Sequence, residues 1–275
     1  FSSVPLSGYA EGTEPEKVVA QLKGRGFKEV VDLGDVATDP SLISAAFGKE
    51  NGRDVVYSTA TGGKFNAIDV KDNKLLFWAQ LEGVSQVWSH TIAPDGTVYI
   101  VALGPGNEGQ LWSYKPATKT VTKIGRVEAS GQQVWSSTTD EAGNIYIGTY
   151  GDQKPGKIIK YDPVTNQFTD FGEIDSECAY VRSIAYHDGY LYAGLGVAAK
   201  VYRINVATGE KEEITQNVPE IISKVDDNGN LCLDIRQYNF CYDMAVVANR
   251  YLFARFDDGD GTTNVNALLI YDLTE

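Results

Sequence analysis

The chain has 275 residues, with 37 Asp and Glu against 24 Lys and Arg, and a formal charge of −13. So acidic a protein lacks the net basic face that phosphate partners demand, which argues against nucleic acid or an anionic lipid surface as its general partner. With 43% hydrophobic residues it can bury a large core, and its longest apolar runs, such as 245–248 and 268–271, fall far short of the roughly 18 residues of a membrane-spanning helix.

In chain order, residues 1–26 read as a lead-in, in which Pro15 to Lys23 forms one short helix or an extended arm. Residues 27–275 read as one domain built on a repeat. Its anchor segments are Ser41–Ala45, Gln86–His90, Gln133–Ser137, Tyr180–Ile184 and Phe240–Met244, which place Ile43, Trp88, Trp135, Arg182 and Tyr242 in one register about 45–47 residues apart, with an insertion before the last. Turns at Asp95-Gly96, Ala142-Gly143 and Asp188-Gly189 follow, each leading to a second strand such as Val98–Val101, Ile145–Gly148 or Leu191–Gly194. Third strands are expected at Lys157–Pro163, Lys200–Asn205 and Leu268–Asp272, and a fourth at Phe168–Gly172.

Four strands per repeat of this length make a propeller blade, because one four-stranded sheet cannot cover both of its own faces. The expected fold class is therefore all-β, a β-propeller of four-stranded blades with five blades readable. Val30–Gly34 has the phase of a fourth strand and the chain stops after a third, so the N-terminal strand is expected to close the ring beside Leu268–Asp272. The alternative is a fragment of a larger propeller.

The unit Gly156-Lys157-Ile158-Ile159-Lys160-Tyr161-Asp162-Pro163-Val164-Thr165, with Tyr180 to Gly194 after it, resembles the bacterial extracellular propellers whose blades read G-K-x-x-x-Y-D-P-x-T. These include the virginiamycin B lyase-like group and propellers of polysaccharide-degrading proteins. The resemblance implies the fold over about residues 27–275 and leaves activity open, since this architecture serves enzymes, binding modules and scaffolds alike. Streptogramin lyases of this group use a histidine and acidic residues near the channel; of the two histidines here, His90 lies on an inner-strand segment and His187 beside a turn. The inner-strand column Ser44, Ser89, Ser136, Ser183, Asp243 offers one acid, which argues against a carboxylate-pair glycosidase.

In a propeller the first strand of each blade lines the channel, so Trp88, Trp135, Arg182 and Tyr242 are expected around the funnel mouth. Three aromatic faces and a guanidinium fork suit a sugar ring and a carboxylate; the competing reading is that these large side chains wedge between blades. The column Tyr57, Tyr99, Tyr146, Tyr192 is assigned to core. Lys64, Lys157 and Lys200, in phase with Gln110, start third strands and would make a basic rim able to steer an anionic ligand, or else a row of solvated strand ends.

His90 suits a general base, with Arg182 neutralising a carboxylate and Tyr242 or Tyr180 as acid; a satisfied inter-blade histidine is the alternative. Asp258 and Asp260, in the loop Asp257–Asn264, place carboxylates where they could wrap a calcium ion, although the loop lacks an EF-hand frame; no other cofactor is expected. Cys178, Cys232 and Cys241 read first as buried, inert thiols; Cys178 and Cys232, leading into successive inner strands, are expected near one another, and a single disulfide between them is the alternative. Met244 is the one methionine, so the chain as given does not open on an initiator, which fits a processed secreted precursor or a chain trimmed or made with a leader; an extracellular or cell-surface monomer is expected. The first functional expectation is a propeller that binds a carbohydrate or other small acidic ligand, the second a lyase on a uronate-type polysaccharide or cyclic ester with His90 as base, and the third a protein-interaction scaffold.

Overall fold

A computed structural model describes residues 42–127, 132–152, 154–197, 199–215, 239–257 and 266–274. Nineteen strands form five successive antiparallel meanders among these residues. The first comprises β1 (Ala45–Glu50), β2 (Arg53–Ala60), β3 (Lys64–Asp69) and β4 (Lys74–Gln80). The second comprises β5 (Gln86–Ile92), β6 (Val98–Leu103), β7 (Gly109–Lys115) and β8 (Thr120–Arg126). The third comprises β9 (Gln133–Thr139), β10 (Ile145–Tyr150), β11 (Lys157–Asp162) and β12 (Gln167–Glu173). The fourth comprises β13 (Tyr180–His187), β14 (Tyr190–Gly196), β15 (Val201–Asn205) and β16 (Lys211–Glu213). In the fifth, β17 (Phe240–Val247), β18 (Tyr251–Asp257) and β19 (Asn266–Asp272) are described.

The run Val98-Tyr-Ile-Val-Ala-Leu103 shows why the meanders stack. Side chains alternate across a strand, and every one of these six is buried, so both faces of β6 need a neighbour. Val98, Ile100 and Ala102 pack with Val55, Tyr57 and Phe65 of the preceding sheet, whereas Tyr99, Val101 and Leu103 pack with Ile145 and Ile147 of the following one. The same division repeats downstream, where Leu191 and Ala193 meet Tyr146 while Tyr192 meets Leu252 and Phe256. Each fully buried side chain of this size contributes about 1.5–3 kcal/mol of hydrophobic stabilisation, so the core is a series of layers between sheets. Tyr57, Tyr99, Tyr146 and Tyr192 are all buried in those layers, as the pattern predicts.

Polar bonds join the first strands along the inner edge. Ser89 and Thr91 of β5 reach Ser137 of β9 at 2.8 and 2.6 Å. Ser136 donates to the Val181 carbonyl of β13 at 3.1 Å, and Ser183 donates to the Cys241 carbonyl of β17 at 2.8 Å. The serine column thus stitches sheet to sheet.

The tight hairpin expected at Asp188-Gly189 is present, with φ of 44° and 81° at the two residues, the positive pair that a right-twisted two-residue hairpin needs. One inner-strand boundary differs from expectation: β1 begins at Ala45, so residues 42–44 lead into the strand instead of forming it, and Ser41 lies outside the described residues. The expected helix or arm at Pro15–Lys23 and the closing strand Val30–Gly34 lie outside the described residues. No helix among the described residues is long and apolar enough to cross a membrane.

Candidate functional site

Four inner strands carry the same irregularity at the same place. In β5 the register passes from Val87 to Ser89, skipping Trp88; in β9 from Val134 to Ser136, skipping Trp135. In β13 it passes from Val181 to Ser183, skipping Arg182, and in β17 from Cys241 to Asp243, skipping Tyr242. Each of the four sequence-predicted residues is therefore the extra residue of a β-bulge, a device that re-aims a side chain out of the ordinary pleat.

The bulges bring the four side chains together. The Trp88 and Trp135 rings lie 4.0 Å apart between centroids and inclined by 37°. The Arg182 guanidinium carbon lies 5.7 Å from the Trp88 ring, 4.9 Å from Trp135 and 3.9 Å from Tyr242, a cation facing three π systems. Both tryptophans are half-buried, and Trp88 also packs against the layer formed by Tyr99 and Ile147, so part of the wedge reading holds as well. The aromatic belt continues through Tyr180, which stacks on Tyr150 at 4.1 Å and meets Trp135 at 5.6 Å and Phe240 at 5.3 Å. Arg255 adds a second guanidinium 4.6 Å from Tyr242, and this one is neutralised by Asp243 at 2.8 Å and Asp257 at 3.0 Å.

Arg182 is different. Its residue is 9% exposed, and no carboxylate or hydrogen-bond acceptor among the described residues engages its guanidinium. The Trp88 and Trp135 indole nitrogens are the buried side-chain donors without an acceptor among the described residues. Native structures seldom leave buried donors unmatched, and each such group costs about 1–3 kcal/mol.

His90 does not join this cluster. A strict two-residue alternation would put residues 88 and 90 on one face, but the bulge at Trp88 resets the phase. Ser89 then faces the following sheet, and His90 pairs with Ile100 on the face toward the preceding one. There its Nε2 lies 2.9 Å from the Thr59 hydroxyl and its Nδ1 2.9 Å from that of Ser44. Burial holds the imidazole down to about 3. A base must reach the proton it removes and hold it near operating pH; this ring is enclosed, hydrogen-bonded at both nitrogens and very weakly basic, so the geometry corrects its assignment to proton abstraction.

The lysine row is also mostly neutralised. Lys157 pairs with Asp170 at 2.8 Å across β11 and β12, and Lys200 pairs with Asp175 at 2.6 Å and Glu177 at 3.3 Å. Tyr202 donates to the same Asp175 carboxylate, which these partners hold below the usual range against its burial. Lys64 is half-buried at the start of β3. Cys178 is buried with its Sγ 3.4 Å from the Val197 carbonyl, and burial pushes the thiol up to about 12; its expected partner Cys232 lies outside the described residues. Asp258 and Asp260 lie outside them too, and no group of three or more potential metal ligands occurs among the described residues.

Sequence reasoning missed Tyr150, Phe240 and Arg255. Tyr150 and Arg255 lie toward the ends of second strands, and only the pairings Tyr150 with Tyr180 and Arg255 with Asp243 bring them to the inner-strand residues.

Comparison with known proteins bears on the fold. Residues 125–224 match a family model described as a repeat of unknown function (DUF6923). No curated protein matches. Among solved structures the chain is similar to one titled "Crystal structure of Nidogen/Laminin Complex", at 13% identity, with 86% of this chain and 77% of that chain covered and a TM-score of 0.57. At that identity the likeness concerns fold alone, and with the stacked meanders it supports a β-propeller repeat protein.

Proposed function

We propose that this propeller binds a carbohydrate at the axial mouth formed by the starts of its inner strands, with Trp88, Trp135 and Tyr242 as stacking surfaces and Arg182 as polar anchor. One observation carries this reading: four separate bulges deliver three aromatics and one guanidinium to the same point. Bulges recur next to functional sites because they re-aim side chains, and flat aromatic faces beside a donor fork suit a saccharide's apolar ring face and its oxygens. The finer architecture belongs to the same proposal: five blades, with residues 30–34 completing the last beside β19, in an extracellular or cell-surface monomer. Its support is the regular four-strand count of the preceding meanders, against three described strands in the last.

A glycan array read with the intact chain, with parallel ultraviolet monitoring for unsaturated products, tests the function. Binding to a defined saccharide class without absorbance growth is the expected result. Growth of absorbance would favour the lyase instead. Absence of any saccharide binding would leave the protein-interaction reading in its place.

A further inference from the structure

Three side chains of the cluster are donors only. Arg182 offers N–H donors and no acceptor, and the indole N–H groups of Trp88 and Trp135 are donors only. All three side chains lie within one cluster; the two indole N–H groups are buried without an acceptor, and Arg182 forms no ion pair among the described residues. Arg255, 4.6 Å from the same Tyr242 ring, shows the contrast: where the fold requires a settled guanidinium it supplies two carboxylates, Asp243 and Asp257. Arg182, nine-tenths buried, receives none.

A neutral saccharide presents hydroxyls, each donor and acceptor at once, and these three donor-only groups use only half of that capacity. An ionised carboxylate or sulfate is acceptor-only and carries the charge that Arg182 lacks, and a guanidinium fork meets such a group with two parallel hydrogen bonds. From this juxtaposition we infer that Arg182, with the Trp88 and Trp135 N–H groups, is a specificity-determining oxyanion site that selects acidic saccharides over neutral ones. The inference rests on the carbohydrate reading of this mouth and adds the class of sugar and the groups that choose it.

The want of a carboxylate at Arg182 also explains why the cluster is aromatic. Three π faces hold the buried cation in place without neutralising it, so its charge remains available to a ligand. A carboxylate partner in the chain would compete with the ligand for the same fork.

The test compares trigalacturonate, its methyl ester and a sulfated galactose trisaccharide by isothermal titration with the intact chain. Trigalacturonate is expected to bind at least tenfold tighter than its ester, and the sulfated probe decides between carboxylate and sulfate. Arg182→Met should erase the preference for charge, and Arg182→Lys, which keeps the charge but loses the fork, should retain only part of it. Trp135→Phe and Trp88→Phe keep a stacking ring while removing one N–H each; they should narrow the preference of acid over ester severalfold, whatever either change costs both ligands in stacking. Should Arg182→Met fail to fold by circular dichroism, the lysine and phenylalanine variants still decide the matter. Equal binding of ester and acid, lost in Trp135→Ala, would overturn the oxyanion inference and leave the carbohydrate reading standing. No binding of any probe at millimolar concentration would overturn both.

Discussion

Among single residues, those proposed to hold a ligand are distinct from those that hold the fold. Trp135 touches Trp88, Arg182, Tyr150 and Tyr180 and belongs to none of the buried layers, so Trp135→Ala should weaken saccharide binding by about 1–3 kcal/mol, the scale of aromatic stacking on a planar partner, with little loss of melting temperature. Titration calorimetry beside thermal melts checks both halves. His90 sits on the other side of that line. Its folded form stays neutral down to about 3, against 6.5 for an ordinary histidine, so between those values the unfolded chain holds more protons than the native one. Stability must then fall as pH falls through that window, by up to about 1.4 kcal/mol per pH unit. Carboxylates held low, such as Asp175 and Asp69, lose their contribution only below the usual carboxylate range, so the interval from about pH 4.5 to 6.5 reports His90. Urea unfolding of wild type and His90→Gln across that interval should show a slope that the variant lacks; parallel curves would contradict the buried, neutral imidazole.

At the scale of strands, the seam between sheets depends on small residues opposite the bulges. A Cβ on Gly194 would sit 2.3 Å from the Ser183 hydroxyl and 2.6 Å from the Cys241 sulfur, the two side chains at the junction of β13 and β17. Gly148 has the same relation to Ser136 and the Val181 carbonyl. Gly194→Ala should therefore cost about 1–3 kcal/mol, a melting shift of several degrees in a domain this size, whereas Gly83→Ala, in open space at a turn, acts only through its positive φ of 73°. Differential scanning calorimetry of the Gly194 variant against wild type measures the effect, and an unchanged melting temperature would deny the seam its role. Much of this level was legible in the chain itself. Runs such as Val98–Leu103 and turns such as Asp188-Gly189 announce buried strands and hairpins, and the repeat places Trp88, Trp135, Arg182 and Tyr242 in one column. A bulge has no compositional mark, and this is why His90, two residues from Trp88, reads as its neighbour although the phase reset turns it to the preceding sheet. The neutralised lysines were hidden for a related reason: Lys157 meets Asp170 only through the pairing of β11 with β12.

At the scale of the whole molecule, the layers between sheets and the stitched inner seam hold the four bulges at fixed separations, so a site assembled from strands far apart in sequence needs no element of its own. The outer strands take no part in it. Substitutions on the solvent face of β8 or β12, for example Thr122→Ala, should leave saccharide affinity unchanged within error in the same titrations, and a large loss there would place the ligand on the rim instead of the axis. Whether the ligand lies on the bulge cluster is decided by a crystal structure of the chain with the saccharide selected by the array. A sugar ring should pack against Trp88, Trp135 or Tyr242 with an oxygen within hydrogen-bonding distance of Arg182; a saccharide bound elsewhere, with the cluster untouched, would overturn that placement.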